Sequence, residues 1–377
     1  MTIVQSATSN RSAPRATGGR CIVGLSGGVD SAVAAAILIE QGFSVYGVFL
    51  DTWHATVKGE QPLASAETVA DYLSIRLRRC DVRQAFYTRV VEPFLSTYAA
   101  GQTPNPCVLC NPTLKIATLL NEADRVGAEW VATGHYARIL RVGGGLSRLL
   151  QARATAKDQS YALYRLGQRH LRRLLLPLGE VASKAEVRDI ARAFNLPVAD
   201  SGESQDLCFV GAGGYVDLLA TLRPDALLPG PILDEVGHHL GDHQGLARFT
   251  IGQRGGLGIA AAAPLYVVDL DPVRNAVIVG PRERLARREC RLIDVTFTAG
   301  TPPAPRFEAM GRIRYRAPLV PITVTMIGPD NAHIVFSDPQ LGIAPGQSLV
   351  VYSGEEVLGG GVISGKPMPP GVAPLQA

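Results

Sequence analysis

Cys21-Ile22-Val23-Gly24-Leu25-Ser26-Gly27-Gly28-Val29-Asp30-Ser31 decides the reading of this chain. An apolar run stops at Ser-Gly-Gly-Val-Asp-Ser, and a helix-like run from Ala32 to Gln41 follows. Strand, glycine turn and helix in that order form a holder for phosphate. Gly27 and Gly28 let the backbone approach an anion, and the free N–H groups of the helix start point at it. Ser26 and Ser31 add hydroxyl donors. Asp30 is out of place beside phosphates unless magnesium or an ordered backbone accounts for it.

The Lys of the Walker sequence G-x-x-x-x-G-K-[ST] is absent. Ser26–Ser31 instead resembles the PP-loop of the ATP pyrophosphatases, which split ATP to AMP and diphosphate to activate an oxygen. The bland alternative is an ordinary glycine-rich turn between a strand and a helix. Strand, loop and helix all sit where the phosphate reading needs them. Arg20–Leu25 and Ser44–Leu50 read as buried strands on either side of the helix, which gives a βαβ unit and a parallel sheet. Ala64–Leu77 and Ala85–Ala99 read as helices. Trp130-Val131-Ala132-Thr133 is a short apolar run ending in Gly134-His135-Tyr136. In open α/β sheets ligands lie beyond the carboxyl ends of strands, so Gly134 and His135 are expected beside the nucleotide.

The chain has 377 residues, enough for two or three domains with real cores. Hydrophobic content is 46% and charged content 19%, which excludes a disordered chain. The net charge of +4 fits a polyanionic partner. Six cysteines in this length do not make a disulfide scaffold and suit a reducing, cytoplasmic compartment. No apolar run approaches the roughly 20 residues that span a bilayer. Residues 1–19 are polar and acid-free and read as a disordered extension.

Gln102-Thr103-Pro104-Asn105-Pro106-Cys107-Val108-Leu109-Cys110-Asn111-Pro112 is a stiff, proline-rich loop suited to presenting a thiol. Its Cys-x-x-Cys has three readings: half a zinc site, a redox pair, or a nucleophile with a bystander. Zinc would need two more ligands. The sequence has no second Cys pair, and His238-His239 is its one His cluster, so no metal site is expected. Lys157-Asp158-Gln159-Ser160-Tyr161 is a polar knot that also suits a helix start with Asp158 as cap. Ser183–Asn195 reads as a helix, opened by a capping box of Ser183 and Glu186. Cys208 follows a Ser/Gly/Asp-rich stretch. Leu207, Phe209 and Val210 beside it suit a buried small hydrophobe, whereas the polar lead-in suits a loop.

Pro229-Gly230-Pro231 marks a change of texture. Beyond Arg282 come short strands, Ile313–Tyr315, Ile322–Ile327, His333–Phe336 and Leu349–Tyr352, separated by Pro/Gly/Asp turns. The expected architecture is α/β. A PP-loop (adenine-nucleotide alpha-hydrolase-like) parallel-sheet domain spans 20–212, a small central domain 213–281, an antiparallel β-barrel 282–365 and a tail 366–377. Arginine runs at 76–79, 165–173, 282–288 and 312–316 suggest a surface that tracks phosphates, and Arg314-Tyr315-Arg316 adds a stacking ring suited to RNA.

An oxygen-activating loop, two thiols on separate loops and a basic surface together describe replacement of a carbonyl oxygen by sulfur on a nucleic acid. Ser-Gly-Gly-Val-Asp-Ser (26–31), Thr-Pro-Asn-Pro-x-x-x-Cys-Asn (103–111), Thr-Gly-His-Tyr-Ala-Arg (133–138), Lys-Asp-Gln-Ser-Tyr (157–161), Asp-Leu-Cys-Phe (206–209), Thr-Ile-Gly-Gln-Arg (250–254) and Arg-Tyr-Arg (314–316) occur in order. This set resembles the bacterial tRNA-specific 2-thiouridylases. The resemblance implies that Gly24, Leu25, Ser26, Gly27, Gly28, Val29, Asp30 and Ser31, with Leu50 and Gly134, bind ATP, accompanied by magnesium. It implies that Asn105, Pro106 and Cys107 meet the target base, and that His135, Lys157, Asp158, Gln159, Arg314, Tyr315 and Gln347 contact tRNA. Cys208 would carry a persulfide and Cys110 would be the nucleophile, with a transient Cys110–Cys208 disulfide. The implied substrates are the tRNAs for Lys, Glu and Gln at wobble uridine 34, with sulfur from a cysteine desulfurase or a relay protein.

One departure bears on chemistry: Cys107 stands where many members carry Asp, a candidate acid/base. Two rival readings share some of these features. Another PP-loop synthetase would not need Cys110, Cys208 or a basic barrel, and a non-catalytic RNA-binding protein would not consume ATP.

Overall fold

The computed structural model describes residues 18–54, 60–202, 207–211 and 213–365. The expected extension up to residue 17, Asp206 and its polar lead-in, and the expected tail lie outside the described residues.

The N-terminal sheet is built from β1 (Arg20–Gly24), β2 (Ser44–Asp51), β3 (Leu77–Asp81), β4 (Trp130–Ala132) and the two-residue β7 (Leu174–Leu175). All neighbours pair in parallel, in the order β3-β2-β1-β4-β7. Side chains alternate across β1. Cys21 and Val23 join the core under helix α1 (Val29–Glu40), while Ile22 joins the core on the other face. A strand buried on both sides reads as a continuous apolar run, as residues 21–23 do. The chain runs outward from β1 to β3 and then returns to the other side of β1. The order therefore reverses between β1 and β4, and the crevice at their carboxyl ends is the expected ligand position.

Helix α2 (Glu60–Tyr72) stops earlier than its apolar pattern suggests. Ser74 takes a positive φ of 54°, and Leu77 begins β3 instead of ending the helix. Residues 83–99 are helical as expected, with a π turn at Tyr87–Val91 before α3 (Glu92–Ala99). The stiff loop enters α4 (Pro106–Cys110), a π turn at Asn111–Lys115 and α5 (Ile116–Val126). Helix α6 (Lys184–Ala193) opens as its sequence predicts: Ser183 accepts from Glu186 N, and Glu186 accepts from Ala182 N.

A hairpin of β5 (Arg138–Arg141) and β6 (Ser147–Leu150) leaves the N-terminal domain and extends the C-terminal sheet. The apolar pattern of the sequence does not announce it. After helix α7 (Gly214–Leu222) the central sheet has the order β10-β11-β8-β9, from β8 (Gly230–Asp234), β9 (His239–His243), β10 (Tyr266–Asp271) and β11 (Ala276–Gly280). The C-terminal strands are β12 (Ala286–Phe297), β13 (Arg306–Arg312), β14 (Val320–Met326), β15 (Ala332–Leu341), β16 (Ser348–Ser353) and β17 (Glu356–Ile363). They run antiparallel in the order β12-β15-β14-β13-β16-β17, and β12 pairs back onto β17, so the barrel closes. Ile313–Tyr315, expected as strand, falls in the turn after β13. That places Arg314 and Tyr315 on a loop facing the N-terminal domain.

Candidate active site

The glycine-rich loop is ordered by its own side chains. Ser31 Oγ accepts from Ser26 N at 3.1 Å, lies 3.2 Å from Ser26 Oγ and donates to Gly28 O at 3.0 Å. Gly27 has φ 81°, and a Cβ there would meet Pro62 O at 2.4 Å. Gly134 packs from β4 against the start of α1, where a Cβ would meet Asp30 C and Ser31 N at 2.8 Å. Both glycines are therefore needed for close backbone approach, and the cradle they form has the shape of a phosphate holder. Asp30, odd from sequence, is accounted for. Its Oδ1 accepts from Tyr136 OH and from Lys184 Nζ, each at 2.6 Å. Lys184 is the first residue of α6, and nothing in the local sequence links it to the loop. Leu50 lies in β2, beside the loop's own strand.

The chain around them brings the two thiols within electrostatic reach of each other. Phe209 is buried edge-on against Phe86 and Phe94, at 5.6 and 5.2 Å between ring centres. Cys110, 3% exposed, belongs to the same hydrophobic cluster. Phe209 thus anchors the turn that carries Cys208, and Cys208 itself is exposed. The residues flanking Cys208 are core, but the cysteine is not a buried small hydrophobe. All six cysteines are free thiols. Burial pushes the Cys110 thiol up to about 12, and it also raises Cys107. Lys115 opposes both shifts, and the neighbouring thiols reinforce them.

His54, beyond the end of β2, approaches Cys208 O with Nδ1 at 3.2 Å and Thr52 Oγ1 with Nε2 at 3.2 Å. His135, beyond β4, lies 2.8 Å from Thr133 Oγ1 through Nδ1. Burial, then the charge of Lys115, pushes His135 down to about 3. The imidazole is neutral at ordinary pH, so it is a hydrogen-bonding group and not a cation. The carboxyl ends of β1, β2 and β4 thus deliver the phosphate cradle, His54 and His135 to one region, with the thiols beside them. Sequence reasoning missed Lys115, Lys184 and His54. Lys115 alone had a local signal, five residues beyond Cys110 in the same proline-rich stretch.

Residues expected to touch nucleic acid sit at the junction of the three domains. Gln347 Nε2 donates to Thr103 O at 3.1 Å and to Pro104 O at 3.4 Å, while Thr103 Oγ1 donates to Thr250 Oγ1 at 3.0 Å. Barrel and central domain together clamp the loop that leads to Asn105, Pro106 and Cys107. Asn105 reaches the hydroxyl of Tyr161, and Tyr315 lies edge-on to the same ring at 6.0 Å. A cavity of about 190 Å³ lined by Asn105, Pro106, Arg165 and Ser348 adjoins this junction.

Asp158 is 4% exposed and accepts from Ala152 N (3.0 Å), Ser160 N (3.1 Å) and Ser160 Oγ (2.9 Å), with Arg312 Nη1 at 3.4 Å. Gln159 Oε1 accepts from Tyr136 N at 3.0 Å. Both side chains brace the site from inside. The arginine runs are partly committed as well: Arg79 pairs with Asp51, Arg78 with Glu122, Arg173 with Asp124 and Arg284 with Glu235. Among the described residues no group of three or more His, Cys, Asp or Glu comes together to hold a metal, and no helix is long and apolar enough to cross a membrane.

Comparison with known proteins adds an independent line. Residues 19–212 match the family model described as "tRNA methyl transferase HUP domain". Residues 217–281 match the corresponding PRC-barrel domain, and 287–363 an aminomethyltransferase beta-barrel domain. The tRNA-specific 2-thiouridylase MnmA of Roseiflexus castenholzii is 45% identical over 369 residues, covering 92% of this chain and 99% of that protein. Its namesake from Magnetococcus marinus is 43% identical, covering 91% and 98%. With relatives matched at this identity along nearly their full length, and with three family models matched in order, the chain belongs to the family of tRNA-specific 2-thiouridylases.

Proposed function

We propose that this chain, a tRNA-uridine 2-sulfurtransferase by its family, thiolates wobble uridine 34 of the tRNAs for Lys, Glu and Gln through an adenylated base and a protein persulfide. The observation that carries the reading is the convergence of the phosphate cradle, Cys110 and Cys208, which the sequence keeps far apart.

ATP is a substrate. Gly24–Ser31, Leu50 and Gly134 hold it, and Asp30 would be the carboxylate nearest a magnesium ion that screens the charge of the triphosphate. The uridine O2 attacks the α-phosphate and diphosphate leaves, so AMP becomes the leaving group at C2. Asn105, Pro106 and Cys107 meet the base. His135, Lys157, Arg314, Tyr315 and Gln347 hold the tRNA around it, with Asp158 and Gln159 supporting from within.

Sulfur arrives on Cys208 as a persulfide, loaded by a cysteine desulfurase or a relay protein. The Cys110 thiolate attacks Cys208 Sγ. The Cys110–Cys208 disulfide forms and the terminal sulfur departs with the electron pair, either as hydrosulfide or already bonded to C2. An external dithiol then reduces the disulfide and is itself oxidised. The cycle thus needs a reducing compartment such as the cytoplasm.

Single-turnover thiolation of unmodified tRNA-Lys transcript, with ATP, desulfurase and cysteine, tests the reading. Wild type is expected to form 2-thiouridine, and Cys110→Ser and Cys208→Ser to form none. AMP without thiouridine from wild type would overturn the substrate. Thiouridine from either serine variant would overturn the two-thiol transfer.

A further inference from the structure

Lys115 carries its charge in a part of the site where no carboxylate answers it. Among the described residues its ammonium makes no hydrogen bond or ion pair. It is only partly exposed. Burial works against the charge, yet the thiols of Cys208, Cys110 and Cys107 more than offset that and raise the ammonium.

The backbone explains how it gets there. Lys115 closes the π turn Asn111–Lys115, in which Ile116 N donates to Asn111 O, five residues back. In an α-helix the residue five positions on lies off the face of the first, because neighbours on one face are three and four apart. The wider turn brings position 115 back toward the face of Cys110. π turns of this kind recur at functional sites.

We propose that Lys115 is a positioning residue for sulfur transfer: its ammonium holds the Cys110 sulfur in the thiolate form while that sulfur attacks Cys208 Sγ. The inference rests on the sulfur-transfer reading above and deepens it. In the step the Cys110–Cys208 bond forms, the Cys208–terminal sulfur bond breaks, and the electron pair leaves on the terminal sulfur. No proton passes to or from Lys115, which contributes only its charge.

The chemistry requires such a group. Cys110 sits in an aromatic cluster that disfavours its ionised form, and only the thiolate is nucleophilic. Among the described residues Lys115 is the one cation that acts on both Cys110 and Cys107. His135 beside it is neutral, and Tyr315 on the barrel side is a phenol near Cys107.

The test is the pH dependence of iodoacetamide alkylation in the full-length protein, resolved by peptide mass spectrometry. It compares wild type, Lys115→Met and Lys115→Arg. Cys290, a barrel thiol also pushed up to about 12 by burial, serves as internal reference. The Met variant is expected to slow Cys110 alkylation about tenfold relative to Cys290, equivalent to one pH unit, and the Arg variant to restore most of it. A Cys110 rate that falls no more than that of Cys290, or an Arg variant as slow as Met, overturns the proposal. Wild type that forms no 2-thiouridine would instead sink the functional reading, and the alkylation result would stand apart from it.

Discussion

Lys184 Nζ donates to Asp30 Oδ1 at 2.6 Å across 154 positions of sequence. A lysine from the first turn of a distant helix thus anchors the acidic residue of a loop that has no Walker lysine of its own. Tyr136 shares the same oxygen, and its ring lies 6.0 Å from the ammonium. The Lys side chain is 15% exposed, so the charge sits against the phosphate cradle with little water around it.

Replacing Lys184 with Met removes both the anchor of the loop and a cation at the cradle. The expected outcome is ATP binding weakened by about tenfold, near the worth of one hydrogen bond to a charged group. Isothermal titration with a non-hydrolysable ATP analogue checks it. Unchanged affinity would mean that the ion pair is only a surface decoration.

Gly134→Ala places a methyl group 2.8 Å from the backbone of Asp30 and Ser31, where no flexible side chain can yield. The start of α1 must shift, at a cost of about 1–3 kcal/mol. The variant is expected to melt at a lower temperature and to lose AMP formation. Gly143→Ala, in a turn with nothing within 4 Å, is the matched control and is expected to be neutral.

Asp158→Ala strips the partners from two backbone N–H groups, the Ser160 hydroxyl and the Arg312 guanidinium at a nearly water-free position. Destabilisation of about 3 kcal/mol is expected, read as a lower urea midpoint with an unchanged slope. A loss of tRNA binding at full stability would instead make Asp158 a direct contact.

His135 sets a pH trend whose sign is fixed. Its folded value, about 3, lies below the ordinary 6.5, because burial and then Lys115 disfavour the imidazolium. The unfolded chain therefore binds the proton first on acidification. This contribution to stability is complete above the unfolded value and is lost progressively as pH falls from 6.5 toward 3. His170 and His243 are lowered as well and add the same sign. His135→Gln is expected to flatten the acid limb of stability against pH, measured by urea unfolding. An identical slope in the variant would refute the assignment.

The boundary between what was legible and what was not follows the range of the forces. Ser26–Ser31 announced a phosphate loop because its glycines and helix start act within a few residues. The capping box at Ser183 and Glu186, the buried alternation of β1 and the barrel's short strands were legible for the same reason. The motif set, read in order, was enough to suggest the family.

Where chemistry depends on approach between distant segments, sequence alone was silent. It could not tell that Cys208 is exposed while its neighbour Phe209 is core, because that depends on which rings Phe209 meets. It could not tell that Asp158 is spent on internal bonds, or that Arg78 and Arg79 lie on a strand paired to acids. Nor could it join Lys184 to Asp30, or turn Lys115 toward Cys110. Those placements were decided by the order β3-β2-β1-β4-β7, by one π turn and by the barrel's grip on Thr103. The local chain determined which groups exist and in what elements. Tertiary packing decided which of them meet, because burial and electrostatic contact are properties of neighbours in space.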